Sequence, residues 1–258
     1  MNYNYHTHTP RCRHANGTPE EYVIRAIESG IKYFGFSDHL PFAFPSGKES
    51  NYRVPVKEAK DYISEIAVLK EKYKDKIDIK IGFEMEYYPK YFDKMLENAI
   101  NYGAEYLILG NHFIKQTEED EGTYVLLPNG IEDDLKEYTR CVVEAIKSGV
   151  FSYVAHPDIF NFTGDDNVYC KEARKICVAS CECGIPLEIN FLGMRRKKNY
   201  PNELFWKIAG EEKAPVTFGM DAHDLLDIPD KESFIVAMGI VNKYNLNYIG
   251  KPVIRKIN

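Results

Sequence analysis

Thr18-Pro19-Glu20-Glu21, an apolar helical pattern through Ile24 and Ile27 to Gly30, and then Tyr33-Phe34-Gly35-Phe36-Ser37-Asp38-His39 together decide the fold class. Thr18 reads as an N-cap, Pro19 suits the first helical position, and Glu21 can reach back to close a capping box. Gly30 stops the helix. The run that follows is apolar enough for a strand buried on both faces. A strand-like opening, residues 2–8, comes before the helix, so the unit reads strand, helix, strand.

The alternation continues to the end of the chain. Helices are expected over residues 55–73, 91–102, 131–148, 169–183, 202–209 and 231–243. Strands are expected over 77–86, 106–112, 153–156, 185–190, 216–221 and 248–257. About seven strand-then-helix units argue for a parallel sheet closed, or nearly closed, as an α/β barrel. With no linker rich in Gly, Pro or Ser, residues 1–258 read as a single domain. The acidic stretch Glu118-Glu119-Asp120-Glu121-Gly122 is expected to be a mobile surface loop.

Composition narrows the function. The 258 residues carry 33 Lys and Arg against 39 Asp and Glu, a formal net charge of −6, which disfavours general nucleic-acid binding. The one short basic run, Arg195-Arg196-Lys197-Lys198, has a solvated loop as its plain reading. Cys12, Cys141, Cys170, Cys177, Cys181 and Cys183 form no C-x-x-C pair, so neither a zinc ribbon nor a thioredoxin-type motif is indicated. No leader and no membrane-length apolar stretch is evident, and a reduced, cytoplasmic location is the simplest expectation.

The seven histidines fall in a pattern. His6 and His8 end the first strand and His14 follows it; His39, His112 and His156 end later strands; His223 lies two residues past Asp221. Strand C-termini of a parallel barrel share one face, where active sites sit, so these residues should converge. Spacing of two puts His6/His8, Glu84/Glu86 and Asp221/His223 on common faces. Imidazoles and carboxylates without thiolates suit Zn, Mn or Fe, and the donors are numerous enough for two to three divalent ions sharing a carboxylate.

The chain thereby resembles the PHP (polymerase and histidinol phosphatase) family of metal-dependent phosphoesterases. The elements that carry the resemblance are His6-Thr7-His8, His14, Ser37-Asp38-His39, Gly82-Phe83-Glu84, Gly110-Asn111-His112, Ala155-His156-Pro157 and Asp221-Ala222-His223. Asp38-His39-Leu40-Pro41 and Leu187-Glu188-Ile189-Asn190 look most like its histidinol-phosphate phosphatase branch. Gly110-Asn111-His112 departs from that branch, where one more residue and a serine are expected. The resemblance implies a distorted (β/α)7 TIM-like barrel with three metals. His6, His8, Glu84 and Asp221 would hold one, Glu84 with His112 and His156 the second, and His14, His39 and His223 the third.

The chemistry so implied is phosphomonoester hydrolysis by a metal-bridging hydroxide, with L-histidinol phosphate as the leading small-molecule substrate. Glu84, Asp221, His39 and Arg195 are the residues expected to carry it. Arg195 is the first choice to hold the phosphate, with a surface arginine as its plain alternative; Arg11 and Arg13 flank the His14 loop. Asp38 and Asn190 are expected to orient ligand histidines or meet substrate. Glu86, Asp158 and Glu188 are candidate acceptors for the substrate's amine and imidazole, and Tyr87, Tyr88 and Tyr200 candidate rim residues. Competing readings are a phosphodiesterase or exonuclease, a phosphotyrosine phosphatase, and a metal-binding module without catalysis.

Overall fold

A computed structural model describes residues 1–257. The capping box forms: Thr18 Oγ1 accepts from the Glu21 N–H, and the Glu21 carboxylate accepts from the Thr18 N–H at 2.7 Å. It starts α1 (Pro19–Glu28) between β1 (Tyr3–Asn4) and β2 (Tyr33–His39). Next come α2 (Ala59–Lys72), β3 (Asp78–Met85), α3 (Phe92–Tyr102) and β4 (Tyr106–Leu109). A short hairpin, β5 (Phe113–Ile114) and β6 (Thr123–Tyr124), precedes α4 (Glu132–Ser148) and α5 (Asp166–Cys183). The chain continues with β7 (Leu187–Asn190), α6 (Phe191–Arg195), α7 (Glu203–Glu211), β8 (Pro215–Gly219), α8 (Lys231–Tyr244) and β9 (Asn247–Tyr248).

β1 to β4 pair in sequence order, all parallel, and the β2–β3 register sets His39 beside Glu84. Single parallel bridges carry the ring onward, Leu109 to Val154 and Val154 to Leu187, and β7 pairs with β8. A bridge between Thr7 and Ala222 joins the last of these back to the first. Seven strand positions thus curl round an axis, the distorted α/β barrel expected from the alternation. Tyr106 crosses the ring, its hydroxyl donating to the carbonyls of Tyr5 and Phe36 at 2.8 and 3.1 Å.

The differences have local causes. The expected strand 153–156 shrinks to its bridge at Val154, because His156 has left-handed backbone (φ 31°) and Pro157 offers no N–H to a ladder. Of the expected strand 248–257, only β9 pairs, along β8. The β5–β6 hairpin was not anticipated. The acidic loop is anchored rather than free, since Glu121 turns inward onto the buried Arg53. Among the described residues no helix is long and apolar enough to cross a membrane, and all six cysteines are free.

Candidate metal centre

Strand ends place the donors. His6 and His8 follow β1, His39 ends β2, Glu84 lies near the end of β3, and His112 and His156 follow β4 and the Val154 bridge. Asp221 and His223 follow β8. Glycine makes room at two points: a side chain at Gly110 would collide with the Glu84 carboxylate, and one at Gly219 with that of Glu188. His156 and Asp221 are both held in the left-handed region (φ 31° and 48°), local strain of a kind found where a site dictates side-chain direction.

The inner donors converge. His6 Nε2 stands 3.5 Å from both Glu84 Oε2 and Asp221 Oδ1. His8 Nε2 stands 3.4 Å from Glu84 Oε2 and 3.3 Å from Asp221 Oδ1. All four atoms are buried, and none has a hydrogen-bond partner. Buried polar atoms are rarely left so, because each costs on the order of 1–3 kcal/mol unsatisfied. Bonds of about 2.0–2.2 Å to one ion at tetrahedral angles put donors roughly 3.3–3.6 Å apart, which these spacings match. The residues present fit a metal.

The other Glu84 oxygen, Oε1, faces His156 Nε2 at 2.9 Å and His112 Nε2 at 3.6 Å, and His39 Nδ1 lies 3.2 Å from Oε2. The His14 ring stacks near His223 and lies 5.6 Å from that of His39. Its Nδ1 bonds the Cys12 carbonyl at 2.7 Å, so Nε2 is the nitrogen left for a ligand. The nine donors expected from the sequence are therefore together, around a carboxylate with both oxygens in use.

Carboxylates behind the histidines set their tautomers. Glu188 Oε1 accepts from His6 Nδ1 at 2.9 Å, and Glu86 Oε1 from His112 Nδ1 at 2.8 Å, which leaves each Nε2 lone pair for the centre. Asn190 Nδ2 donates to Asp221 Oδ2 at 3.0 Å and to Glu188. Asp38, held by Thr9, lies 3.4 Å from His8 Nδ1. Burial alone would raise the pKa of Glu84 and of Asp221. Their histidine neighbours (chiefly His112 for Glu84, His6 for Asp221) instead hold both carboxyls well below the usual range. Burial, reinforced by His8, pushes His39 and His223 well below the ordinary imidazole value, and a neutral ring is the form that binds metal.

Several substrate-facing expectations need correcting. The Arg195 guanidinium is occupied: it pairs with Asp227 and Asp230 at 2.9 and 2.8 Å, and donates to the carbonyls of Met220 and Asp221. It braces the turn that carries Asp221, whereas Arg196 and Lys198 line the cavity over the centre. Arg11 pairs with Glu65. Glu86 and Glu188 are buried on histidines, and Asp158 accepts from the Trp206 indole and the Asn202 N–H at 2.8 and 2.7 Å. Tyr88 joins the Arg53–Glu121 network and Tyr87 packs on Phe92, while Tyr200 does line the cavity. In the shortened element, Asn111 accepts from the Tyr87 N–H at 2.8 Å and still delivers His112 to the centre. Sequence reasoning missed Tyr52, Phe113 and Tyr124, which line the same cavity of about 680 Å³.

Residues 4–191 match the model of the PHP domain. The chain belongs to the PHP family. It is 29% identical over 228 residues to a protein from Deinococcus radiodurans named "Probable histidinol-phosphatase", covering 84% of this chain and 85% of that one. It is 27% identical over 258 residues to the histidinol-phosphatase of Bacillus subtilis, covering 86% and 94%. The fold is also shared with the histidinol phosphate phosphatase of Lactococcus lactis, whose crystal structure is complexed with zinc, L-histidinol and phosphate. The TM-score is 0.72 at 22% identity, with 96% of this chain and 95% of that one covered.

Proposed function

We propose that the protein is a metal-dependent histidinol-phosphate phosphatase, releasing L-histidinol and phosphate, with residues 1–258 working as one domain. The observation that carries the hydrolase reading is the set of four unpartnered buried atoms on His6, His8, Glu84 and Asp221 at 3.3–3.5 Å. The names of the Deinococcus and Bacillus relatives, and the ligands of the Lactococcus structure, support the substrate.

His6, His8, Glu84 and Asp221 would hold one divalent ion, Glu84 with His112 and His156 a second, and His14, His39 and His223 a third, with Zn, Mn or Fe suited to such donors. Bound ions supply Lewis-acid charge to a phosphoryl group and bring the pKa of water towards neutrality. The protein's own groups do the rest. Glu188 and Glu86 fix the rings of His6 and His112, and Asn190 fixes Asp221. Arg195 holds the backbone at Asp221. Arg196 and Lys198 bring positive charge to the cavity, where a phosphate dianion enters.

Phosphate release from L-histidinol phosphate, with Zn and Mn supplied separately, tests the reading. A kcat/KM above roughly 10⁴ M⁻¹s⁻¹ is expected of a dedicated enzyme. A nucleotide or sugar phosphate that outcompetes it in a direct comparison would remove the biosynthetic substrate and leave the metallophosphatase.

A further inference from the structure

One wall of the cavity carries neither a candidate metal donor nor a cationic side chain. Tyr52, from the segment after β2, stacks on Phe113 with ring centroids 5.5 Å apart and planes at 22°. Phe113 lies 5.1 Å from Tyr124 across the β5–β6 pairing. Tyr52 also meets His39 edge-on at 5.0 Å. A continuous aromatic surface therefore begins at a donor of the metal centre and runs outward along the cavity. Arg196 and Lys198 come from the segment after β7 instead.

The rings are placed in advance. The guanidinium of Arg53, wholly buried, lies 5.1 Å from the Tyr52 ring and pairs with Glu121 at 3.1 Å. Glu121 also accepts from the hydroxyls of Ser50 and Tyr88. The loops on either side of the wall are thus tied together behind it, so a ligand need not order them.

Among the described residues, the cavity also lacks a free carboxylate partner for a cationic ligand. Its lining carboxylates are Glu84 and Asp221, both in the donor cluster, and its other charged side chains are Arg196, Lys198 and histidines. Glu86, Asp158 and Glu188 are consumed elsewhere. An ammonium taken into this space would lose water and face like charge, whereas a flat ring would gain contact with three others.

We propose that Tyr52, Phe113 and Tyr124 form a ring-binding subsite for the leaving group, taking an aromatic or heteroaromatic ring and leaving the ester's ammonium in water at the cavity mouth. The subsite rests on the phosphomonoesterase reading and names what selects the substrate.

Three analogues of histidinol phosphate test it on the unaltered, metal-loaded protein. The desamino analogue keeps the ring, alaninol phosphate keeps the amine, and phenylalaninol phosphate exchanges the ring for benzene. The expected kcat/KM is within about fivefold of histidinol phosphate for the desamino ester and about tenfold for phenylalaninol phosphate. It is about 100-fold lower for alaninol phosphate, the scale of burying one aromatic ring. Alaninol phosphate within fivefold of histidinol phosphate, or a 100-fold loss for the desamino ester, overturns the proposal; the second result would mean that the rings hold the ammonium.

Calorimetry with the product alcohols gives a reading free of turnover. L-Histidinol is expected to bind at least about tenfold tighter than alaninol, and equal affinities would contradict the subsite. Phe113→Leu should narrow the histidinol-to-alaninol phosphate ratio at least about tenfold, a ratio insensitive to the fraction of folded protein; an unchanged ratio also overturns it. If calorimetry ranks the alcohols as expected but none of the esters is hydrolysed, the subsite stands and the phosphatase reading fails.

Discussion

Glu188 Oε1 accepts a hydrogen bond from His6 Nδ1 at 2.9 Å, and both side chains are fully buried. The same carboxylate takes the His156 N–H and the Asn190 amide through Oε2. It therefore sets the tautomer of one donor while steadying the backbone of another.

Glu188→Gln should weaken metal binding about 10- to 100-fold, the usual cost of altering a carboxylate behind a ligand histidine. The change keeps the volume, so the fold should survive. Competition with a metallochromic chelator reads the affinity. Unchanged affinity would mean that Glu188 does not act through His6.

Arg195 and Arg196 should behave differently. Arg195→Lys loses the fork that spans Asp227, Asp230 and two carbonyls, so kcat and metal content should fall while KM stays within about threefold. Arg196→Ala should raise KM about tenfold, as lost binding of a phosphate charge does. Steady-state kinetics separates the two. A large KM effect at Arg195 with metal content intact would restore it as the phosphate cation.

This pair shows where sequence reading stops. Arg195 ends α6 while Arg196 caps it and Lys197 turns into the left-handed region (φ 50°), so a basic run at a helix end shows that a cation is near the site without saying which one. The convergence of the nine candidate donors was legible because strand ends of a parallel barrel share a face and most of them carry a histidine. Glu86 and Glu188 were legible only as inward carboxylates. Alternation along a strand gives the side of the sheet, whereas their partners, His112 and His6, come from other strands. Asp158 was unreadable for the same reason: its partner Trp206 is 48 residues away. The aromatic wall joins the segment after β2 to the β5–β6 hairpin, and the two are tied by the contact between Arg53 and Glu121, 68 residues apart. No period in the chain announces it.

That contact has a pH signature. Burial raises the Glu121 carboxyl, but Arg53 outweighs it and the net shift is downward from 4.5. A group whose folded pKa is depressed stabilises above its unfolded pKa, near 4.3, and loses that contribution as pH falls through the folded value. Urea melts from pH 7 down to pH 3 should therefore show less stability lost on acidification in Glu121→Gln than in the parent. At pH 7 the variant should be less stable by about 3–5 kcal/mol, because Arg53 is left buried and unpaired. Identical pH dependence in the two proteins would contradict the assignment.

Glu84→Gln should lower turnover of histidinol phosphate about 10³-fold or more, since both oxygens of Glu84 face donors and the amide loses the charge. Circular dichroism should show the fold retained. Near-normal turnover at full metal occupancy would mean that Glu84 is no ligand.

Elemental analysis of the folded, metal-saturated protein tests the central claim most directly. If the nine histidine and carboxylate donors form one centre, two to three divalent ions should be found per chain, chiefly Zn, Mn or Fe. Protein that is fully folded and saturated yet holds one ion or none would contradict the account.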